Sequence, residues 1–369
     1  MAAMTAVRPR PMLGRMLHSR RVGVIVRLVL GGAVLVAVVL RFGGAPFLHG
    51  LRSVDLTTVI VAIVLCAVAT AAAAWRWRLI AVRLGADLRW GTAVGMYYRS
   101  QFVNSVVPGG IVGDVERAVD HGRSTDRLGA AARAVAVERT AGQAVQLAVK
   151  VVVLVLVGPQ FARWLLPVIG IGLAAAVVAI AVTALASARA RGVLRREAAE
   201  LRAGLGSPAA AIQVVAASLV VVACHVTTFA VAAVAVGAHV QPARMLVLAL
   251  VVLLAASIPL SVGGWGPREG VAGWAFAVAG AGAATGVSAA TVFGVLAVIS
   301  VLPGVVVFRL APAVASLLTR FVASLGSGRN HDRHPLRHPQ LRGFAGRLPR
   351  HRRAAPAGAL EPGGLRPGG

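Results

Sequence analysis

Residues 56–75, LTTVIVAIVLCAVATAAAAW, run for twenty positions without one charged side chain. At about 1.5 Å per residue such a helix is about 30 Å long, the thickness of a bilayer's hydrocarbon core, and it is apolar on every face. Comparable runs occupy 22–40, 138–157, 165–186, 209–237 and 288–310, and a broken apolar region covers 243–283. With 58% hydrophobic and 14% charged residues and a mean hydropathy of +0.80, the composition excludes an ordinary water-soluble globule. The fold class expected is an all-α polytopic membrane protein with six to eight transmembrane helices.

The charge is strongly positive, +26 from 38 basic and 12 acidic residues, and Lys150 is the only lysine. A nucleic-acid-binding protein places such charge on a soluble face interleaved with aromatic rings. Here the arginines flank the apolar runs instead: Arg8, Arg10, Arg15, Arg20 and Arg21 before the first; Arg76, Arg78, Arg83 and Arg89 after the second; Arg189, Arg191, Arg195, Arg196 and Arg202 after the fourth. This positive-inside pattern predicts cytoplasmic loops at those places, cytoplasmic termini and six full crossings in a bacterial-type cell membrane, with no nucleic-acid partner. The chain divides into a basic N-terminal segment (1–21), a membrane domain (22–315) and an Arg/Pro/Gly-rich tail (321–369) expected to be disordered. The first run is read as a retained helix because another span follows it at once and no small-residue cleavage site is convincing. Cys66 and Cys224 lie within apolar runs and have no metal-site spacing, and Pro335 and Pro339 break up the tail histidines His331, His334 and His338. No metal or cofactor is expected.

Two segments fail to be clean spans. WGTAVGMYYRSQFVNSVVPGGIVGDVERAVDHGR, from Trp90, is interrupted at Pro108, Gly109, Gly110 and Gly113; the run from Met245 is interrupted by SIPLSVGGWGPREG, which holds Pro259, Gly263, Gly264 and Gly266. In each, a proline precedes an arginine by nine positions (108 to 117, 259 to 268), with a glutamate beside the arginine, Glu116 or Glu269. Broken helices survive at membrane depth where protein or a watered cavity satisfies the freed backbone groups. The pairing suggests two re-entrant hairpins entering from opposite sides as inverted repeats, a common way to build a substrate site near the midplane. The second segment can also be read as two full spans, and both as ordinary surface loops.

A charge at the bilayer centre costs roughly 2.5–3.5 kcal/mol on insertion scales and calls for a role. Asp114, Glu116 and Arg117 lie in the first broken segment, Arg268 and Glu269 in the second, and Glu138, Arg139 and Lys150 in the third span. Arg139, Gln143, Gln146 and Lys150 follow at steps of four, three and four, one face of a helix, which faces either a groove or, at its ends, the membrane surfaces. His225 beside Thr227 and Thr228 reads first as a core histidine and second as a proton relay, and Arg27 and Arg309 as span-end anchors.

NSVVPGGIVGDVERA from Asn104, VAVERTAG from Val135 and SIPLSVGGWGPREG from Ser257 resemble the lysylphosphatidylglycerol synthase transmembrane family, a flippase-like domain, in order and over roughly residues 20–315. Asn104, Pro108, Gly109, Gly113, Asp114 and Arg117 match its first motif, with Val112 where a second glycine is usual. Glu138 and Arg139 match its Glu-Arg pair; Pro259, Gly263, Gly264, Gly266, Arg268, Glu269 and Gly270 match its late motif. In two-domain members the resemblance implies movement of aminoacylated phosphatidylglycerol between leaflets after a soluble transferase has made it. No stretch here reads as that transferase, so a stand-alone member is expected.

The expectation is a lipid translocase, not an enzyme, carrying an anionic or aminoacylated phospholipid or a lipid-linked sugar. Arg117 and Arg268, aided by half-helix N-termini, would meet the phosphate, and Asp114, Glu138 and Glu269 would hold those arginines when the site is empty. Asn104, Arg139 and Lys150 complete the substrate-binding set. The rivals are a membrane-embedded transferase or hydrolase using Asp114, Glu138 or His225 as base, against which no H-E-x-x-H, Gly-x-Ser-x-Gly or P-loop motif is present, and a non-catalytic partner of a separate lipid synthase. Oligomeric state is left open.

Overall fold

In a computed structural model of the protein, which describes Val29 and residues 32–107, 110–257 and 263–306, the long apolar runs fold as single helices. The elements are α1 (Gly32–Phe42), α2 (Ala45–Arg52), α3 (Leu56–Arg83), α4 (Trp90–Val106), α5 (Val112–Thr125), α6 (Leu128–Val157), α7 (Pro159–Ala186), α8 (Ala188–Leu205), α9 (Pro208–Ala235), α10 (Pro242–Ala256), α11 (Pro267–Val278) and α12 (Ala283–Val301). No strand occurs among the described residues. Helices α3, α6, α7, α9 and α12 are long and apolar enough to cross a membrane, and α1 with α2 makes a sixth if the pair is one bent span.

Helix α7 shows what surrounds them. It has 28 residues, and Phe161 alone is buried, while Val168, Ile171 and Leu185 stand 66%, 70% and 79% exposed. A helix this apolar and this bare is stable in hydrocarbon and not in water. The protein is an all-α polytopic membrane protein.

Local chemistry sets the helix ends. Asp55 accepts the Thr58 N–H at 2.8 Å to start α3; Ser187 and Ser207 cap α8 and α9 by accepting the N–H groups of Ala190 and Ala210 at 3.3 and 3.2 Å. Pro159, Pro208, Pro242 and Pro267 occupy first-turn positions, where the missing N–H costs nothing. Small residues then let the helices approach. Ala62, Ala69, Ala73 and Ala74 of α3 and Ala210, Ala217, Ala232 and Ala233 of α9 are buried, and Gly286 of α12 lies against the Ala272 carbonyl of α11. Packing of this kind supplies the attraction between helices that hydrocarbon does not.

Several boundaries differ from the sequence reading. Helix α3 continues eight residues past 75 (to 83), so Arg76 lies within the helix and is buried, not in a loop. The third span starts ten residues earlier than 138 (at 128), which moves Glu138 and Arg139 from its first turn into its interior. The first span bends by 96° at Gly43–Gly44, where Gly43 holds φ +78°, and α2 then packs on α12 through Gly50 and a Ser288 hydroxyl donated to the Pro46 carbonyl at 2.8 Å. The arginines from 189 to 202 ride on a helix, α8, and not on a loop. The N-terminal segment 1–21, the tail 321–369, Arg27, Arg309, Pro108, Gly109 and Pro259 lie outside the described residues.

The two broken segments form helix pairs, α4 with α5 and α10 with α11. At 15 and 12 residues, α10 and α11 are about 22 and 18 Å long, too short to cross the hydrocarbon core singly. The first pair is rooted where α3 ends and α6 begins: Arg127 donates to the Gly85 carbonyl at 2.9 Å, and a ring nitrogen of His121 lies 2.9 Å from the Asp87 carbonyl. The second is rooted at the opposite ends of the spans, where α6 passes into α7 and Gly158 lies against Val247. The pairs therefore enter from opposite ends, and their tips meet: a Cβ at Gly263 would lie 3.2 Å from the Ser105 carbonyl oxygen.

Gly113 seats the first pair. A Cβ there would overlap the Ser100 carbonyl oxygen of α4, which cannot rotate away. Gly113→Ala is expected to cost about 1–3 kcal/mol by overpacking, read as a lower unfolding temperature in detergent. An unchanged temperature would mean that the two helices are not pressed together here.

Candidate functional site

Glu138 is the centre of the polar interior. No part of it is exposed, and it serves two arginines. Its Oε1 accepts from Arg76 Nε at 3.0 Å and Nη2 at 2.5 Å and from the Tyr97 hydroxyl at 3.3 Å; its Oε2 accepts from Arg117 Nη2 at 2.7 Å. Arg76 also donates to the Ser218 hydroxyl at 2.8 Å, and its guanidinium fills the space that a Cβ at Gly142 would take. Arg117 is 1% exposed and lies between the Trp77 and Tyr97 rings, 4.7 and 4.5 Å from their centroids. Two ring faces and two carboxylates surround this buried cation.

Asp114 links that interior to a cavity. Its Oδ1 accepts from Arg117 Nε at 3.0 Å and the Ser100 hydroxyl at 3.3 Å; its Oδ2 accepts from Asn104 Nδ2 at 3.2 Å and pairs with Arg139 Nη2. Arg139 also donates to the Gly110 carbonyl at 2.7 Å, and its side chain keeps 39% exposure. Arg117 and Arg139 thus differ in kind. The first is sealed in; the second is a cation at a surface.

That surface bounds an open groove of about 1070 Å³ between α5 and α6. Ile111, Val115, Val119, Leu128, Val135 and Ala136 line its flank, and Asn104, Asp114, Arg139 and Gln143 its inner end. A second cavity of about 340 Å³ shares Asn104, Asp114, Arg139, Gln143, Ser257 and Gly263 with the first and continues past Gln146 to Lys150, His225 and Arg268. All four residues of the α6 polar face line it, so that face looks inward, and Lys150 is 3% exposed.

Arg268 repeats the theme of Arg117 on the other hairpin. Its Nε and Nη2 donate to Glu269 Oε1 at 2.9 and 2.6 Å, and it packs 4.8 Å from the Trp265 ring and 5.7 Å from that of Phe293. Gly294 leaves room for its guanidinium. The glycines at the break have a conformational reason too, with φ of +57°, +82° and +97° at Gly263, Gly264 and Gly266.

The structure therefore brings all eight expected substrate-binding residues into one connected region and sorts them. Asn104, Asp114, Arg139, Lys150 and Arg268 line the cavities; Arg117, Glu138 and Glu269 stand behind them as buried support. The half-helix N-termini are already served from within: Asn104 Oδ1 accepts the Gly113 N–H at 2.8 Å, and Glu269 Oε2 accepts the Gly266 N–H at 2.6 Å. Glu116 pairs with Arg99 at 2.8 Å and not with its neighbour Arg117. His225 Nδ1 lies 2.7 Å from the Val221 carbonyl, while Thr228 donates its hydroxyl to the Cys224 carbonyl, so Thr228 serves the backbone and not the histidine. Cys66 and Cys224 are free thiols. Arg76, Trp77 and Tyr97 are the residues that sequence reasoning missed. A signal existed: Ala69, Ala73, Arg76 and Ile80 follow at the same four, three, four spacing as the α6 polar face, which marks Arg76 as inward.

The lysylphosphatidylglycerol synthase TM region family matches residues 24–333 of the chain. The chain belongs to that family. The match takes in every described residue of the hairpins, the α6 polar face and both cavities, and membership ties the protein to a membrane-lipid function. No curated protein and no solved structure matches it.

Proposed function

We propose that the protein is a lipid translocase that passes a phosphate-bearing headgroup between leaflets, without altering it chemically, while the acyl chains stay in hydrocarbon. One observation carries this reading: an open apolar groove ends at an accessible cation, Arg139, beside Asn104 and Asp114. Acyl chains fit the flank of α5 and α6, and a phosphate fits the inner end, where guanidinium and amide donors converge.

Asp114 supplies the exchange. With the groove empty it neutralises Arg139; when a lipid phosphate takes Arg139, Asp114 keeps Arg117, Ser100 and Asn104. Replacing an internal ion pair by a substrate pair keeps both states affordable in a low dielectric. The arginines of α8, with Arg78, Arg83 and Arg89, favour the cytoplasmic leaflet for the end where the first hairpin is rooted.

The test uses purified protein in phosphatidylcholine vesicles containing fluorescent phosphatidylglycerol, with dithionite bleaching of the outer leaflet. Wild-type protein is expected to expose inner-leaflet label, and Arg139→Gln to slow this at least tenfold. Equal rates in the two would reject the assigned site. Recovery of chemically altered lipid would favour a transferase, and activity that appears only after a lipid synthase is added would favour a partner role.

A further inference from the structure

Among the described residues, the polar interior carries five cations, Arg76, Arg117, Arg139, Lys150 and Arg268, against three carboxylates, Asp114, Glu138 and Glu269. The carboxylates are all committed to arginines. Lys150 has none within ion-pair distance among the described residues; its Nζ donates to the Ser257 hydroxyl at 3.2 Å and the Leu253 carbonyl at 3.5 Å, both neutral. A buried ammonium with two neutral acceptors is under-compensated, and it lines the deeper cavity with His225 and Arg268.

Its position along α6 adds a second, independent observation. Lys150 lies eleven residues beyond Arg139, about 16 Å along the helix axis and roughly half the hydrocarbon thickness. It is seven residues, about 10 Å, from the helix's far end at Val157, on the side where the second hairpin is rooted. Between the two cations the same face offers Gln143 and Gln146, neutral donors that line the same cavity.

We infer that Lys150, with Ser257 and His225, is a second phosphate station for the lipid headgroup, serving the opposite half of the membrane from the Arg139 station. This rests on the transport reading and deepens it. The headgroup phosphate is received at one cation, handed along Gln143 and Gln146, and held at the other. No carboxylate faces the second station among the described residues, whereas Asp114 pairs with Arg139 at the first. The ligand is anionic at the phosphate and bears lipid tails, since the cavity that Lys150 lines joins the apolar groove.

Two readouts on the full-length protein test this. Binding of dihexanoyl phosphatidylglycerol in detergent reports the two stations together, and dithionite-detected transport in vesicles reports passage. Lys150→Met is expected to weaken lipid binding at least threefold and to slow transport at least tenfold, and Lys150→Arg to restore both. Arg139→Gln is expected to weaken binding and slow transport likewise. Removing a buried charge leaves the fold intact, which an unchanged elution profile and unfolding temperature verify; Ser257→Ala, expected to slow transport severalfold, is the milder second variant. Glycerol 3-phosphate, the same anion without tails, should bind at least tenfold more weakly, and equal binding would overturn the lipid assignment. Lys150→Met transport at the wild-type rate, or lipid binding unchanged from wild type, would overturn the second station while leaving translocation standing. A wild-type protein that moves no lipid overturns both.

Discussion

Glu138→Gln is expected to destabilise the protein by about 3–5 kcal/mol, the cost of breaking a buried ion pair from one side. The carboxylate is fully buried and accepts from Arg76 at 2.5 Å and Arg117 at 2.7 Å. A neutral amide of the same shape leaves Arg76 with no carboxylate and Arg117 with Asp114 alone. Both arginines are buried, Arg76 4% exposed and Arg117 1%. The loss should appear as a fall of roughly 6–20 °C in unfolding temperature in mild detergent. Adding Arg76→Met should restore part of it, because the stranded cation leaves with its partner. A single variant as stable as wild type would show that the two guanidinium groups find other compensation.

Linking the hairpin tips covalently is expected to slow transport at least tenfold. A Cβ at Gly263 would lie 3.2 Å from the Ser105 carbonyl oxygen, which puts the two α-carbons at most about 7 Å apart, at the outer limit for a disulfide. The tips sit where the outer groove passes into the deeper cavity, and Gly263 lines both. A headgroup moving from Arg139 toward Lys150 passes between them, so the tips must part. The experiment places cysteines at 105 and 263 in a protein whose Cys66 and Cys224 are replaced by alanine. Gly263 holds φ +57°, so its replacement costs about 1–2 kcal/mol, and the reduced double variant is the proper reference. Oxidation should slow lipid movement and reductant should restore it. Equal rates in both states would show that passage does not run between the tips.

Much of this organisation was legible in the sequence because the physics behind it is local. A run such as 56–75 can satisfy its backbone in hydrocarbon only as a helix, and a Pro/Gly cluster inside an apolar run can only break one. The spacing from Arg139 to Lys150 shows which side chains share a face, whatever that face meets. Arg76 was hidden for the opposite reason. An arginine at the end of an apolar run looks like a surface anchor until α9 supplies Ser218 and α6 supplies Glu138 on either side of it. The sorting of Arg117 from Arg139 was hidden as well, since both are arginines beside acids in matched motifs, and only the rings of Trp77 and Tyr97 seal one of them away.

By itself, then, the sequence determined that the chain lives in a membrane, where its helices run and break, and that one helix carries a polar stripe, because periodicity and hydropathy act over a few neighbouring residues. Tertiary structure alone decided which distant carboxylate serves which arginine, which cation faces the cavity, and that Lys150 stands without a counter-charge among the described residues. The pairing of Glu138 with Arg76 and with Arg117 depends on atoms brought within about 3 Å from residues 62 and 21 positions apart, and no local pattern encodes such a meeting.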